Sequence, residues 1–143
     1  MADYFEKLMK FLNDKDNFCN ASGMRITTVR EGYAEAVLDV EKRHFNGIGT
    51  VQGGALFTLA DFVCAAGINS FGFQAASLSA SVNFLRPGIG MQRLTAKAEL
   101  VRKGRTTAVF DVDVFDENGK MLLHSTMTGF ITEKPLELLF DPE

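Results

Sequence analysis

Cysteine occurs only twice in this chain, Cys19 in a stretch that reads as loop and Cys64 inside an apolar helix. Two thiols so placed make neither a disulfide framework nor a metal site, and buried, idle thiols are expected. Histidine is equally scarce. His44 reads as a loop residue and His124 as a strand residue, neither with a partner at ligand spacing, so no metal centre is expected. Only three prolines interrupt 143 residues, and the formal net charge of −3, with no block of like charge, argues against general nucleic-acid binding. The glycines follow neither the spacing nor the strand context of a dinucleotide-binding motif. Residues 1–13 carry Asp3, Glu6, Lys7 and Lys10 among their apolar residues, so the continuous apolar core of a secretory signal is missing and the cytoplasm is the expected location.

What is present fits one domain over 1–143, of ordinary soluble composition. Phe5, Leu8, Met9 and Leu12 at helical spacing predict an amphipathic helix over about 4–13, with Asp3 and Glu6 placed as a capping box. Met24 to Arg30 and Tyr33 to Val40 read as a hairpin around Glu31-Gly32. Gly53 to Ile68 is apolar on every side except for Thr58 and Asp61, the pattern of a helix buried inside the protein. The stretch approaches the length of a membrane span, but an aspartate near its middle and the lack of a second such segment favour a central core helix. Strands are predicted at Ser77 to Leu85, Leu94 to Arg102, Thr106 to Phe115 and Leu122 to Thr132. Turn signals at Pro87-Gly88, Gly104 and Asn118-Gly119 suggest an antiparallel meander. The class is α+β, an antiparallel sheet wrapped around a central helix, with a core over about 24–132. The tail 133–143 contains Leu136, Leu138, Leu139 and Phe140, suited to docking on a neighbouring surface.

Asp61 is the first candidate for chemistry, because an ionisable group in an otherwise apolar helix needs a polar partner or a functional reason. A carboxylate bonded to a nearby backbone group is the plain alternative. Gln52-Gly53-Gly54 stands where the helix begins, and the unpaired N–H groups of a first turn can stabilise a developing oxyanion. A tight loop-to-helix turn explains the same glycines. Eight residues separate Gly53 from Asp61, about 12 Å along a helix, too far for one small reacting group to touch both. If they act together, Asp61 of one chain faces the Gly53 end of another, which predicts a homodimer with composite sites.

Asn46-Gly47-Ile48-Gly49-Thr50-Val51-Gln52-Gly53-Gly54, followed by Leu59-Ala60-Asp61, resembles the signature of the PaaI-type hotdog thioesterases. The resemblance continues through Asn83-Phe84-Leu85-Arg86-Pro87-Gly88 and Lys103-Gly104-Arg105. It implies a hotdog fold and hydrolysis of acyl-CoA thioesters, with Asp61 as general base or nucleophile and the Gly53 amide polarising the carbonyl. It further implies that Asn46 helps to position the reacting groups and that Ser77 holds the attacking water. A turn-forming Asn46 and a Ser77 on an ordinary polar strand face are the plain alternatives. No cofactor is implied, since coenzyme A belongs to the substrate. One departure is Gln52, where many such proteins have histidine; glutamine donates a hydrogen bond but carries no proton at neutral pH.

Between Arg86 and Arg105 six basic residues stand against Glu99, a local charge of +5. Arg86, Lys103 and Arg105 fall at strand ends, placed to meet CoA phosphates if not simply solvated. Phe57, Phe62 and Phe71 suit either an acyl pocket or the core. Two rival functions remain: a non-catalytic acyl-CoA binding or sensor protein, for which Gln52 speaks, and a hotdog hydratase or dehydratase, against which the lack of a His–acid pair speaks. The pattern leaves open the acyl group and whether dimers pair into tetramers.

Overall fold

The computed structural model describes residues 2–90 and 92–142. Helix α1 (Ala2–Lys15) buries Leu8 and Leu12, the stripe predicted by their spacing. Asp3 lies inside its first turn and pairs with Lys7 at 3.3 Å, so the expected capping box is not the start of the helix. Asp16 instead caps a second short helix, α2 (Asn17–Ala21), accepting from the Cys19 amide at 3.0 Å. Cys19 is therefore a buried helical residue and not a loop residue.

Strands β1 (Met24–Arg30) and β2 (Tyr33–Asp39) form the predicted hairpin. Helix α3 (Gly53–Asn69) follows, then β3 (Phe73–Phe84), β4 (Arg93–Lys103), β5 (Thr107–Phe115) and β6 (Met121–Pro135). All pairings are antiparallel, in the order β1-β2-β4-β5-β6-β3. The meander expected from the turn signals holds for β4, β5 and β6 but not for β3, which pairs with β6 at the far edge. The chain reaches that edge through α3, and the Pro87-Gly88 segment then returns it to the middle of the sheet. A local turn signal marks where a strand stops, not which neighbour it takes.

The inner face of the sheet is built for a close helix. Ala34, Ala36, Ala96 and Ala98 are buried on β2 and β4, and small side chains let α3 approach the backbone. On β5 and β6 the inward set is Phe110, Val112, Val114, Leu123 and Met127, with Gly129 where Ile68 presses in. A Cβ at Gly129 would lie 2.3 Å from the Ile68 Cδ1 atom. Phe62 belongs to this core. Ser125 is the polar exception, fully buried, its hydroxyl without a partner among the described residues.

Two contacts fix the C-terminal end of α3. Ser70 Oγ accepts from the Gly32 amide at 2.8 Å and donates to the Gly67 carbonyl, while Asn69 Oδ1 accepts from the Ala75 amide at 3.1 Å. The second bond sets the start of β3. The tail continues from β6 into a 3-10 turn (Leu136–Leu139), burying Leu136. Phe140 then packs on α1, with ring centroids 5.9 Å from Tyr4 and 5.3 Å from Phe11.

On the outer face, Glu35, Lys97, Asp113, His124 and Asn83 form one row across β2, β4, β5, β6 and β3. His124 Nδ1 lies 2.5 Å from Asp113 Oδ1. β3 differs from the other long strands. It is an edge with exposed residues on both faces, among them Leu78 and Phe84 at 59% and 57% exposure.

Candidate active site

The loop before α3 is held by its own side chains. Asn46 Oδ1 accepts from the amides of Ile48 and Thr50, both at 3.1 Å, and its Nδ2 donates to Thr50 Oγ1 at 2.9 Å. Within one chain Asn46 is thus a loop staple that fixes the segment leading to α3. His44, expected in a loop, is buried at the end of a 3-10 turn (Lys42–His44). Its Nδ1 accepts from the Glu41 amide at 2.8 Å, so Nε2 carries the hydrogen and donates to the Ser22 carbonyl at 2.8 Å. The His44 carbonyl in turn accepts from the Gln52 amide at 2.7 Å. That buried imidazole anchors the approach to the helix, a role no spacing in the sequence suggested.

Gln52 is the N-cap of α3, and its Oε1 accepts from the Gly53 amide at 3.1 Å. Over the same turn lies Phe84: a Cβ at Gly53 would sit 3.3 Å from its Cε1 atom. A side chain there would have to push the Phe84 ring aside by a few tenths of an ångström. Val51, Gly53, Leu56, Phe84 and Arg86 line a pocket of about 260 Å³. Phe84 was not singled out from the sequence, where it reads as one more alternating strand residue.

Two turns along α3, Asp61 is half-buried and accepts from Ser77 Oγ at 3.1 Å. The bond exists because Asn69 fixes the start of β3 and because the strand bulges between Ser77 and Ser79, which re-aims side chains locally. Asp61 also acts on the thiols. Burial first, and then the Asp61 charge, pushes Cys64 up to about 12. Cys19 is raised to about 12 by burial and then chiefly by Asp16. Both are free, buried and protonated at neutral pH, hence idle as nucleophiles.

Gly53 and Asp61 occupy one helix, about 12 Å apart. The three basic residues do not meet within one chain either. Arg86 follows β3 beside the first turn of α3, whereas Lys103 and Arg105 sit at the other end of the sheet, Lys103 Nζ 5.2 Å from the Phe71 ring centroid. β5 runs the distance between those ends, about 26 Å at strand rise. A larger groove of about 1000 Å³ lies between α1 and the tail, but its lysines are engaged by acids, Lys10 by Asp14 and Lys15 by Asp141. A His–acid pair that no sequence spacing marks is His124–Asp113; cross-strand register creates it, on the face of the sheet away from α3. Among the described residues no group of His, Cys, Asp and Glu could hold a metal ion, and no helix is long and apolar enough to cross a membrane.

A six-stranded antiparallel sheet around one central helix, with paired glycines at the helix start and a carboxylate at its middle, is the hotdog class of thioesterase folds. The chain belongs to the thioesterase superfamily, whose family model matches residues 48–122. It is 34% identical over 107 residues to the acyl-coenzyme A thioesterase PaaI of Escherichia coli, covering 75% of this chain and 76% of that protein. The structure of the E. coli PaaI protein superposes with a TM-score of 0.86, covering 91% of this chain and 96% of that one. A hypothetical thioesterase from Streptococcus pneumoniae, solved with coenzyme A, is 32% identical with a TM-score of 0.79, covering 86% of this chain and 98% of that one. Two further structures of a hypothetical thioesterase from that strain carry alanine for a threonine (35% identity, TM-score 0.72, 76% and 89% covered) and for an aspartate (34%, 0.73, 76% and 90%).

Proposed function

We propose that this protein hydrolyses acyl-CoA thioesters to free CoA and a carboxylic acid, with Asp61 as the carboxylate that drives the reaction. The observation that carries this reading is the hydrogen bond from Ser77 to Asp61, which turns an isolated carboxylate on an apolar helix into an oriented one facing the sheet edge. The pneumococcal thioesterase supports it. The threonine and aspartate altered there stand sixteen residues apart, the separation of Asp61 and Ser77.

In the proposed reaction Asp61 takes a proton from water as the water oxygen adds to the thioester carbonyl, and Ser77 holds that water and the carboxylate in line. The carbon–sulfur bond then breaks and the CoA thiolate leaves, taking up a proton. Direct attack by Asp61, giving a mixed anhydride that water opens, uses the same groups. Single turnover in ¹⁸O water identifies the covalent route when water opens the anhydride at the Asp61 carboxyl carbon, because the product then carries an unlabelled Asp61 oxygen and the label enters Asp61. The carbonyl oxygen is polarised by the Gly53 amide, as a helix N-terminus favours developing negative charge. CoA enters only as part of the substrate, and the scheme uses no cofactor.

The separation of Gly53 from Asp61 makes this chemistry intermolecular. β3 is the exposed edge, and antiparallel pairing of two β3 strands across a twofold axis runs the two α3 helices in opposite directions. The same pairing carries Arg86 toward the partner end that bears Lys103 and Arg105, joining into one anion site what a single chain keeps apart. The working unit we propose is this homodimer, open to further pairing through the outer faces of its sheets. The unpaired thiols of Cys19 and Cys64 suit a reducing compartment, and the cytoplasm is the setting we assign.

One observation favours a second reading. Gln52 already occupies the Gly53 amide, which suits a protein that binds acyl-CoA without turning it over. Thiol release from a panel of short, medium and aromatic acyl-CoAs, compared with Asp61→Asn, decides. Release that collapses in the variant supports the enzyme, and saturable binding without release from any substrate overturns it.

A further inference from the structure

The amide that the reaction assigns to the thioester carbonyl is not vacant. Gln52 Oε1 accepts from Gly53 N–H at 3.1 Å, and this oxygen belongs to a planar carbonyl group like the one the substrate must place there. The bond has little rationale as a helix cap. Good caps are Ser, Thr, Asp and Asn, whose oxygens reach the second or third amide of the helix; the Gln52 oxygen reaches only the first. The third and fourth amides of the helix, on Ala55 and Leu56, are satisfied by the Gln52 backbone carbonyl at 2.9 and 3.2 Å.

The backbone of Gln52 is fixed and its side chain is not. The amide donates to the His44 carbonyl at 2.7 Å, whereas the side chain is exposed and makes only the Gly53 hydrogen bond among the described residues. Phe84 covers the turn, its ring 3.3 Å from where a Cβ of Gly53 would lie. With that ring in place, the position a carbonyl oxygen needs is the one the Gln52 oxygen fills.

We infer that the Gln52 side chain is a resident surrogate for the substrate carbonyl, which an acyl thioester must displace before Gly53 can polarise it. Gln52 is then a specificity-determining residue: a substrate is accepted according to how well its carbonyl, backed by the rest of its contacts, competes with a tethered amide oxygen. The inference rests on the reading of Gly53 as the carbonyl donor. It deepens that reading by giving the departure from histidine a physical consequence.

Gln52→Met keeps the length of the side chain and removes the carbonyl, and Gln52→Ala repeats the test without the added bulk. Three readouts are compared with the unaltered dimer: hydrogen exchange of the Gly53 amide, affinity for a CoA ketone in which CH₂ replaces the thioester sulfur, and the steady-state constants. Gly53 exchange is expected to accelerate, and ketone affinity to tighten by about two- to tenfold, the range one neutral hydrogen bond spans. The gain should appear in KM rather than in kcat. Unchanged Gly53 exchange would mean that Gln52 is not the acceptor; ketone affinity that is unchanged or weaker would mean that nothing is displaced. Either result overturns the surrogate while wild-type turnover leaves the thioesterase reading standing. A wild-type protein that neither hydrolyses the panel nor binds the ketone overturns that reading first, and the displacement with it.

Discussion

Ser77 donates to Asp61 across the gap between an edge strand and the central helix, at 3.1 Å, with the carboxylate half-buried and the serine exposed. The pair makes the first prediction. Asp61→Asn removes the proposed base or nucleophile and should lower kcat by about 10²- to 10⁴-fold. Ser77→Ala should lower it by roughly ten- to a hundredfold, the worth of a hydrogen bond to a charged group, and Ser77→Thr should restore most of the loss. Thiol release with matched circular dichroism spectra checks the series, and a fully active Asp61→Asn would end the proposed role.

A composite site can be tested by mixing two dead proteins. Asp61→Asn lacks the carboxylate, and Gly53→Val drives a side chain into Phe84, 3.3 Å from the first added carbon. Each alone should be inactive. After subunit exchange half of the dimers are hybrids, and each hybrid has one site with Asp61 and Gly53 both intact, so about a quarter of wild-type activity should return. If both groups act from the same chain, the mixture stays dead.

Ser125 offers a stability prediction with the opposite sign from most core changes. Its hydroxyl is fully buried and without a partner among the described residues. An unsatisfied buried hydroxyl costs about 1–3 kcal/mol, so Ser125→Ala should stabilise the fold by about 1 kcal/mol. The urea midpoint reports this directly, and a lower midpoint would show that the hydroxyl has a partner after all.

The buried thiols set an alkaline limit. Cys64 and Cys19 move from 9.0 to about 12 on folding, and Tyr4 from 10.0 to about 12 through burial and then Glu137. Groups whose folded pKa is raised contribute stability that is complete below the unfolded pKa and lost as pH climbs through the folded one. Urea unfolding should therefore show stability falling from about pH 9 toward 12. The slope should be shallower in Cys64→Ala, and an identical slope would exclude Cys64 as a source.

Periodicity made much of this fold legible. The all-round apolar stretch of α3 and the strict alternation of Ala108, Phe110, Val112 and Val114 on β5 identify their elements, because burial imposes its period on the side chains. Asp61 stood out for the same reason, as an ionisable group breaking an apolar helix. Other features depend on which strands become neighbours. β3 pairs with β6 rather than β4, Asp113 meets His124, and Arg86 is held apart from Lys103, all through register at long range. The roles of His44 and Phe84 were hidden as well, since a buried imidazole tether and an aromatic lid over glycine have no short sequence mark. Asn46 lay between these cases: the motif drew attention to it, and the structure gives its side chain to the loop.

Twelve residues of β3 with one side unmatched also bear on the life of a newly made chain. Left uncovered, that side is a template for any extended segment, and in the homodimer we propose a second copy closes it. In that dimer abundance becomes a condition of activity. Dilution below the level at which copies of the proposed dimer meet would leave each carboxylate without its opposing amide, and the protein would fall silent with no change in its sequence or its substrate.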